Sequence, residues 1–371
     1  MSDRQTHAMV LSGGAAYAAY EVGVMKALFS GASPATGYAS LDPEIFSGTS
    51  AGAFNASVLL SAGCSDTLSA VAYLESIWLN EIARTPSGCG NGVFRFRPDF
   101  VNVLNPNCYA PDPVVPFTEF ATDLLFFSQE WFQRSINFLT SPGGLEQRTL
   151  ELVDLGTGLT VDRFERLVAR VVQPADIRKS IKQLRIATTN WRSGDVRVFR
   201  NEDLTDAIGV QVVLASTSIP GIFRPIEIEG EPYVDGSVVA NTPLKEAIDA
   251  GADTIHVVYL NPDAQVIPLP RLRNTPSAIY RIMVMGAAAM MNRDIEIARR
   301  VNENLRLPGA RTEQSRGHRR LAIHRYHPGN SADGMLGWLT FGRDHIASVI
   351  REGFADAVEH DCGACGCILP N

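Results

Sequence analysis

The hydrophobic positions along the chain change period several times, and those changes mark its elements. Met9-Val-Leu11 is a short continuous apolar run closed by Gly13-Gly14, the pattern of a strand buried on both faces. Tyr20 to Phe29 then carries Val22, Met25, Ala27 and Leu28 at mixed i, i+3 spacing, which predicts a helix. Glu44-Ile-Phe46 repeats the short strand, Gly48 to Gly52 the tight turn, and Ala53 to Ser61 a helix of small and apolar residues. Two strand–turn–helix units in succession predict a parallel sheet with right-handed crossovers.

The pattern then breaks. Pro, Gly and Asn cluster between Thr85 and Pro116, followed by an aromatic-rich stretch with Phe117, Phe120, Phe126, Phe127, Trp131, Phe132 and Phe138. This reads as an insertion, either a cap over an active site or a set of peripheral core helices. The α/β pattern resumes with strands at Gln183–Thr188 and Val196–Phe199 and a helix at Asp206–Ser216. A hairpin follows over Pro225–Val234, turning at Gly230. Thr242–Ala250 reads as a helix stopped by Gly251, and Thr254–Leu260 as a strand. Beyond 261 come a Pro-rich link, a helix near 277–305, a strand near Leu321–Tyr326 and a helix near 341–358. The expected organisation is a catalytic domain in two parts, 1–84 and 146–260. The aromatic insertion at 85–145 separates them, and a helical extension with a cysteine-containing tail occupies 261–371.

Composition narrows the class. The 371 residues are 45% hydrophobic and 20% charged, which supports a globular core without disulfide staples. The formal net charge of −7 comes with no basic run able to neutralise phosphates, so no nucleic-acid partner is expected. Arg316-Gly-His-Arg-Arg320 reads as a solvated loop. The N-terminus lacks the charged start and apolar stretch of a secretory signal. The most apolar helix candidate, Ile279–Met291, contains Arg281 and is too short to span a bilayer. A cytoplasmic protein is expected. Of the six cysteines, Cys362, Cys365 and Cys367 share the tail. Three thiols with a histidine such as His360 are a metal-binding set, but the simpler reading is a reduced, frayed terminus. No metal and no cofactor are expected, and no calcium loop is present.

Gly48-Thr-Ser-Ala-Gly52 carries the strongest local chemistry. A nucleophilic serine between strand and helix sits on a strained turn whose neighbours two residues away must be small. Glycine fills both places, and the following helix aims its N-terminus at Ser50, where it favours a developing oxyanion. Ser12-Gly-Gly-Ala15 is a second small-residue turn able to converge backbone N–H groups on an anion. It does not supply the G-x-G-x-x-G of a dinucleotide site. None of the seven histidines lies in a small-residue catalytic turn, and His256 reads as a satisfied core residue. Asp235 ends the strand Pro232-Tyr-Val234 and offers a carboxylate base if burial raises its pKa. Asp235-Gly236 is equally an ordinary turn dipeptide, and the residues alone favour the turn.

Taken together these segments resemble the patatin-like phospholipases. Ser12 to Val24 is similar to their glycine-rich opening and Gly48–Gly52 to their nucleophile elbow. Ala215-Ser-Thr-Ser-Ile-Pro-Gly-Ile-Phe-Arg-Pro225 resembles the segment leading to their aspartate, and Tyr233 to Pro243 the aspartate block itself. All four occur in the family's order over roughly residues 8–260. The resemblance implies a three-layer α/β/α fold with a mainly parallel sheet and a Ser–Asp dyad without histidine. Ser50 would be the nucleophile and Asp235 its base. The backbone N–H groups of Gly13, Gly14 and Ala15 would form the oxyanion hole. The chain departs from the family at Ala15, where a third glycine is usual, at Tyr17, where Lys or Arg is usual, and at Ala18, where Gly is usual. Ser237 stands where a second Gly or Ala is common.

The expected function is a serine lipid acyl hydrolase acting on phospholipid, lysophospholipid or simple lipid esters through an acyl-Ser50 intermediate. Peripheral membrane contact is expected with it. The alternatives are a transacylase using the same dyad and a non-catalytic lipid- or protein-binding module on the same scaffold.

Overall fold

A computed structural model of the chain describes residues 5–64, 66–83, 91–98, 100, 104–105, 114–140, 142, 144, 148, 158–260, 275–305, 320–329 and 338–369. Cys89, Cys108, most of the Pro-rich link and all but Arg320 of the basic loop fall outside them.

The strands are β1 (His7–Leu11), β2 (Ile45–Thr49), β3 (Arg95–Phe96), β4 (Leu159–Thr160), β5 (Gln183–Asn190), β6 (Val196–Arg200), β7 (Ile226–Ile228), β8 (Glu231–Asp235), β9 (Thr254–Val258) and β10 (Ala322–Tyr326). The main sheet runs β10-β9-β1-β2-β5-β8-β7, with β6 also on β5. From β10 to β5 every pairing is parallel. β6 and β8 pair antiparallel with β5, and β7 antiparallel with β8. The β7–β8 hairpin turns on Glu229 and Gly230, both at positive φ (54° and 81°), the backbone that matches strand twist in a two-residue loop.

The principal helices are α1 (Ala19–Phe29), α2 (Ala51–Ser61), α3 (Thr67–Ile77), α4 (Val114–Thr140), α5 (Asp162–Val171), α6 (Pro174–Lys179), α7 (Gly209–Ser216), α8 (Leu244–Asp249), α9 (Thr275–Asn304) and α10 (Arg343–Val358). Side chains alternate across the sheet, as strand geometry requires. Met9, Leu11, Phe46, Leu184 and Ile186 face a core built with α1, α2, α3, α7 and α10. Ala8, Val10, Ile45, Ile255 and Val257 face a second core built with α8 and α9. This is a three-layer α/β/α sandwich.

The segment after 261 contributes to the sheet itself. β10 extends it beyond β9, and α10 lies so close on α1 that a Cβ on Gly23 would fall 2.0 Å from the Ile350 carbonyl oxygen. Tyr20 seals that crossing with a 2.7 Å hydrogen bond to Asp356. The tail, expected to fray, is instead bridged to β10. Ile323 N–H donates to Ile368 C=O at 2.7 Å and Ile368 N–H returns at 2.9 Å. An edge strand offers unpaired backbone groups, and the tail satisfies some of them.

Candidate active site

Ser50 sits between β2 and α2 at φ 56°, ψ −128°, a region that costs a non-glycine residue energy and persists only when its surroundings enforce it. The enforcement is steric. A Cβ on Gly48 would lie 2.7 Å from the Ala53 nitrogen, and one on Gly52 would lie 2.5 Å from the Leu11 carbonyl oxygen. The two glycines therefore let the elbow press against β1 and the first turn of α2. Ser216, at the end of α7, locks it. Its hydroxyl accepts the Ser50 N–H at 3.0 Å and donates to Ala187 C=O at 2.8 Å. Sequence reading gave Ser216 no role, because both of its partners are distant in the chain.

Strand β5 sets the position of Asp235 against Ser50. Ala187 pairs with Thr49, and the next residue, Thr188, pairs with Asp235. Asp235 is fully buried. One carboxylate oxygen accepts the Ser237 N–H at 2.8 Å, and the other has no well-formed partner. Burial pushes the Asp235 carboxyl up to about 6, against the pull of the Ser237 N–H, the Ser50 hydroxyl and the Ser237 hydroxyl. A buried carboxylate with an open oxygen facing a serine hydroxyl has the character of a general base. Among the described residues no histidine lines a cavity containing Ser50. His256 is buried and its Nδ1 lies 3.0 Å from the Tyr326 hydroxyl, as a core residue would be.

The glycine-rich loop follows β1 directly. The Gly13 N–H is occupied, donating to Asn241 C=O at 3.1 Å. This bond engages one of the three amides expected to face an oxyanion and anchors the loop at Gly13. A Cβ at Gly13 would also meet Asn241 Oδ1 at 2.5 Å and Ser50 Cβ at 3.0 Å. Ala15, where the family carries glycine, adopts φ 47°. Beneath the loop lies fully buried Glu21. Burial raises its carboxyl well above the usual range, while Asn55 and the Ser12 N–H hold it. Asn55 Nδ2 donates to Glu21 at 2.8 Å and to Ala18 C=O at 3.0 Å, and its Oδ1 accepts the Trp78 indole N–H at 2.8 Å. The network ties the loop to α2.

Two cavities open on Ser50. The larger, of about 300 Å³, is lined mainly by apolar side chains, among them Phe54, Trp78, Phe126, Phe164, Ile219 and Phe341. The smaller, about 30 Å³, holds Gly13, Gly14, Ser50 and Asp235 beneath Met283, Val284 and Ala287 of α9. A small pocket at Ser50 joined to an apolar chamber can hold a polar group and a hydrocarbon group of one ligand side by side.

The patatin-like phospholipase model matches residues 9–248. The chain belongs to the patatin-like phospholipase family. Its sandwich is the α/β fold of that family, which supports lipid ester hydrolysis as its activity class. Among solved structures it is similar to VipD from Legionella pneumophila, at 17% identity and a TM-score of 0.39, over 97% of this chain and 67% of that one. Among the described residues, no helix is long and apolar enough to cross a membrane.

In this patatin-like chain, the aromatic insertion becomes a helix with inverted amphipathicity. α4 turns its acids inward. Asp123, almost fully buried, pairs with Arg95 and Arg97; Glu119 meets Arg163 at 2.9 Å and Glu130 meets Arg224 at 2.8 Å. Phe126 reaches the cavity wall, with the Arg97 guanidinium 4.2 Å over its ring. The outward face is apolar. Phe117, Leu124 and Trp131 form one heptad-spaced row and Leu125, Phe132 and Leu139 the next, each more than half exposed.

Proposed function

We propose that the chain hydrolyses lipid carboxylesters through a Ser50–Asp235 dyad. The observation that carries this reading is the meeting of a strained, buried Ser50 with a buried Asp235 in one small pocket, Ser50 also lining an apolar cavity of about 300 Å³. The acyl chain occupies that cavity, placing its carbonyl carbon against Ser50 Oγ. Asp235 takes the hydroxyl proton as Oγ attacks. The N–H groups of Gly14 and Ala15, with the positive end of α2, stabilise the tetrahedral oxyanion. Collapse expels the alcohol with the proton held on Asp235 and leaves acyl-Ser50. Asp235 then activates water for deacylation by the same path.

The outward face of α4 is the docking surface for a lipid bilayer. Contiguous apolar groups on a helix whose charges are already paired inward lower their free energy by entering an interface. This delivers the ester to the cavity wall formed by Phe126.

A fluorophosphonate probe tests the nucleophile. It should label the folded wild type at Ser50 and leave Ser50→Ala unlabelled; an unlabelled wild type overturns the dyad. Fatty acid release from a lipid panel tests the reaction class. Trp131→Ser combined with Phe132→Ser should weaken sedimentation with phosphatidylcholine vesicles while leaving cleavage of a soluble short-chain ester intact. Unchanged sedimentation removes α4 as the docking face.

A further inference from the structure

We infer that His324, His360, Cys362 and Cys367 form a structural zinc site at the free edge of the sheet. Their four ligand atoms all lie within 4.8 Å of one another. The resolved separations fit a single tetrahedral ion. Cys362 Sγ is 3.4 Å from His324 Nδ1 and 3.5 Å from His360 Nε2, and Cys367 Sγ is 3.4 Å from His360 Nε2. With Zn–S near 2.3 Å and Zn–N near 2.0–2.1 Å, a regular tetrahedron places sulfur and nitrogen ligands about 3.5 Å apart. Two sulfurs and two imidazole nitrogens in tetrahedral array select zinc among the common divalent ions. Two thiolates also balance its charge.

The backbone presents these groups as a site. Cys367 N–H donates to Cys362 C=O at 3.0 Å and Cys365 N–H to Asp361 C=O at 2.9 Å, folding the tail into a tight loop. Gly366 at φ 65° completes that turn. Both thiols are thereby brought to the His360 ring. Arg325 N–H, from β10, donates to Cys367 Sγ at 3.3 Å, as backbone amides do toward charged sulfur. His324 comes from β10 itself, and both histidines are buried, each 7% exposed. A shallow depression lined by Asn302, Glu303, Cys362 and Cys367 gives an ion its entry path.

The ion would join three elements beside the Ile323–Ile368 bridge: the edge strand β10, the end of α10 and the tail. Cys365 is outside the set, which separates this site from a general cysteine cluster. None of the four ligands lines either cavity at Ser50, so the role is structural.

The full chain, purified under reducing conditions without chelator, should carry about one zinc per molecule by elemental analysis. After removal of zinc it should bind cobalt(II) with the visible bands of tetrahedral coordination and a near-ultraviolet thiolate-to-cobalt transition. Cys362→Ser and His324→Ala should abolish both, and Cys365→Ser and Ser50→Ala should retain both. The wild-type cobalt spectrum carries the test even if a ligand variant fails to fold. The site is overturned if the folded, reduced wild type takes up neither ion. It is also overturned if Cys365→Ser loses the metal while Cys362→Ser keeps it. Recovery of a Cys362–Cys367 disulfide that binds no metal after reduction overturns it as well.

Discussion

The Ser216 hydroxyl bridges the nucleophile elbow to the sheet, accepting the Ser50 N–H at 3.0 Å while donating to Ala187 C=O at 2.8 Å. Both bonds are buried, so neither partner has water as a substitute. Ser216→Ala should cost about 1–3 kcal/mol of stability in urea unfolding. Ester hydrolysis should fall by roughly 10- to 100-fold as Ser50 loses its fixed position. Unchanged activity with reduced stability would confine Ser216 to folding.

The pH dependence of turnover should report Asp235. A base must be ionised to accept the Ser50 proton, and burial places its carboxyl at about 6. The kcat/KM of a soluble ester should be flat above that value and fall about tenfold per pH unit below it. An acid limb centred near the ordinary Asp value of about 4 would contradict a buried base.

The same group sets a stability trend. Its folded pKa lies above the unfolded value, so folding favours the protonated form. That contribution is present at low pH and lost as pH rises through about 6. Asparagine does not ionise. Asp235→Asn should therefore gain stability relative to wild type on going from about pH 3 to about pH 8. The gain should be on the order of 3 kcal/mol, with most turnover lost. Parallel stability curves for the two proteins would refute it.

Ala15 occupies φ 47° in the loop over Ser50, where an L-side chain costs about 1–2 kcal/mol that glycine does not incur. Glycine also gives the unfolded chain more freedom, which offsets part of the gain. Ala15→Gly should stabilise the protein by about 0.5–1 kcal/mol and preserve turnover. A lower midpoint of thermal unfolding would show that the alanine methyl packs better than the backbone strains.

The strands β1, β2 and β9 were legible in the sequence because buried parallel strands contain short apolar runs. The elbow was legible because its glycines answer a local steric demand. Asp235 was ambiguous for a physical reason. It caps a turn through the Ser237 N–H and interacts with the Ser50 hydroxyl, so the turn reading of Asp-Gly holds without removing its carboxylate from the proposed role. Ser216 and Asn241 gave no signal, since their partners are far away in the chain. The aromatic insertion was legible as a break in the α/β pattern, open to a cap or to peripheral helices. Its pattern could not show that the charged face turns inward, because that depends on Arg95, Arg97, Arg163 and Arg224. The cysteine tail displayed its thiols, but the pairing with His324 appears only once β10 takes its place in the sheet.

The register of β5, with Thr49 and Asp235 held opposite adjacent residues, has a consequence for when activity arises. The elbow can form from the first strand–helix units, but Asp235 arrives only when the β7–β8 hairpin folds back onto the far end of β5. Such pairing is non-local and slow relative to local helix formation. A chain still emerging from the ribosome therefore carries Ser50 long before Asp235, and the proposed dyad can assemble only after that hairpin has paired.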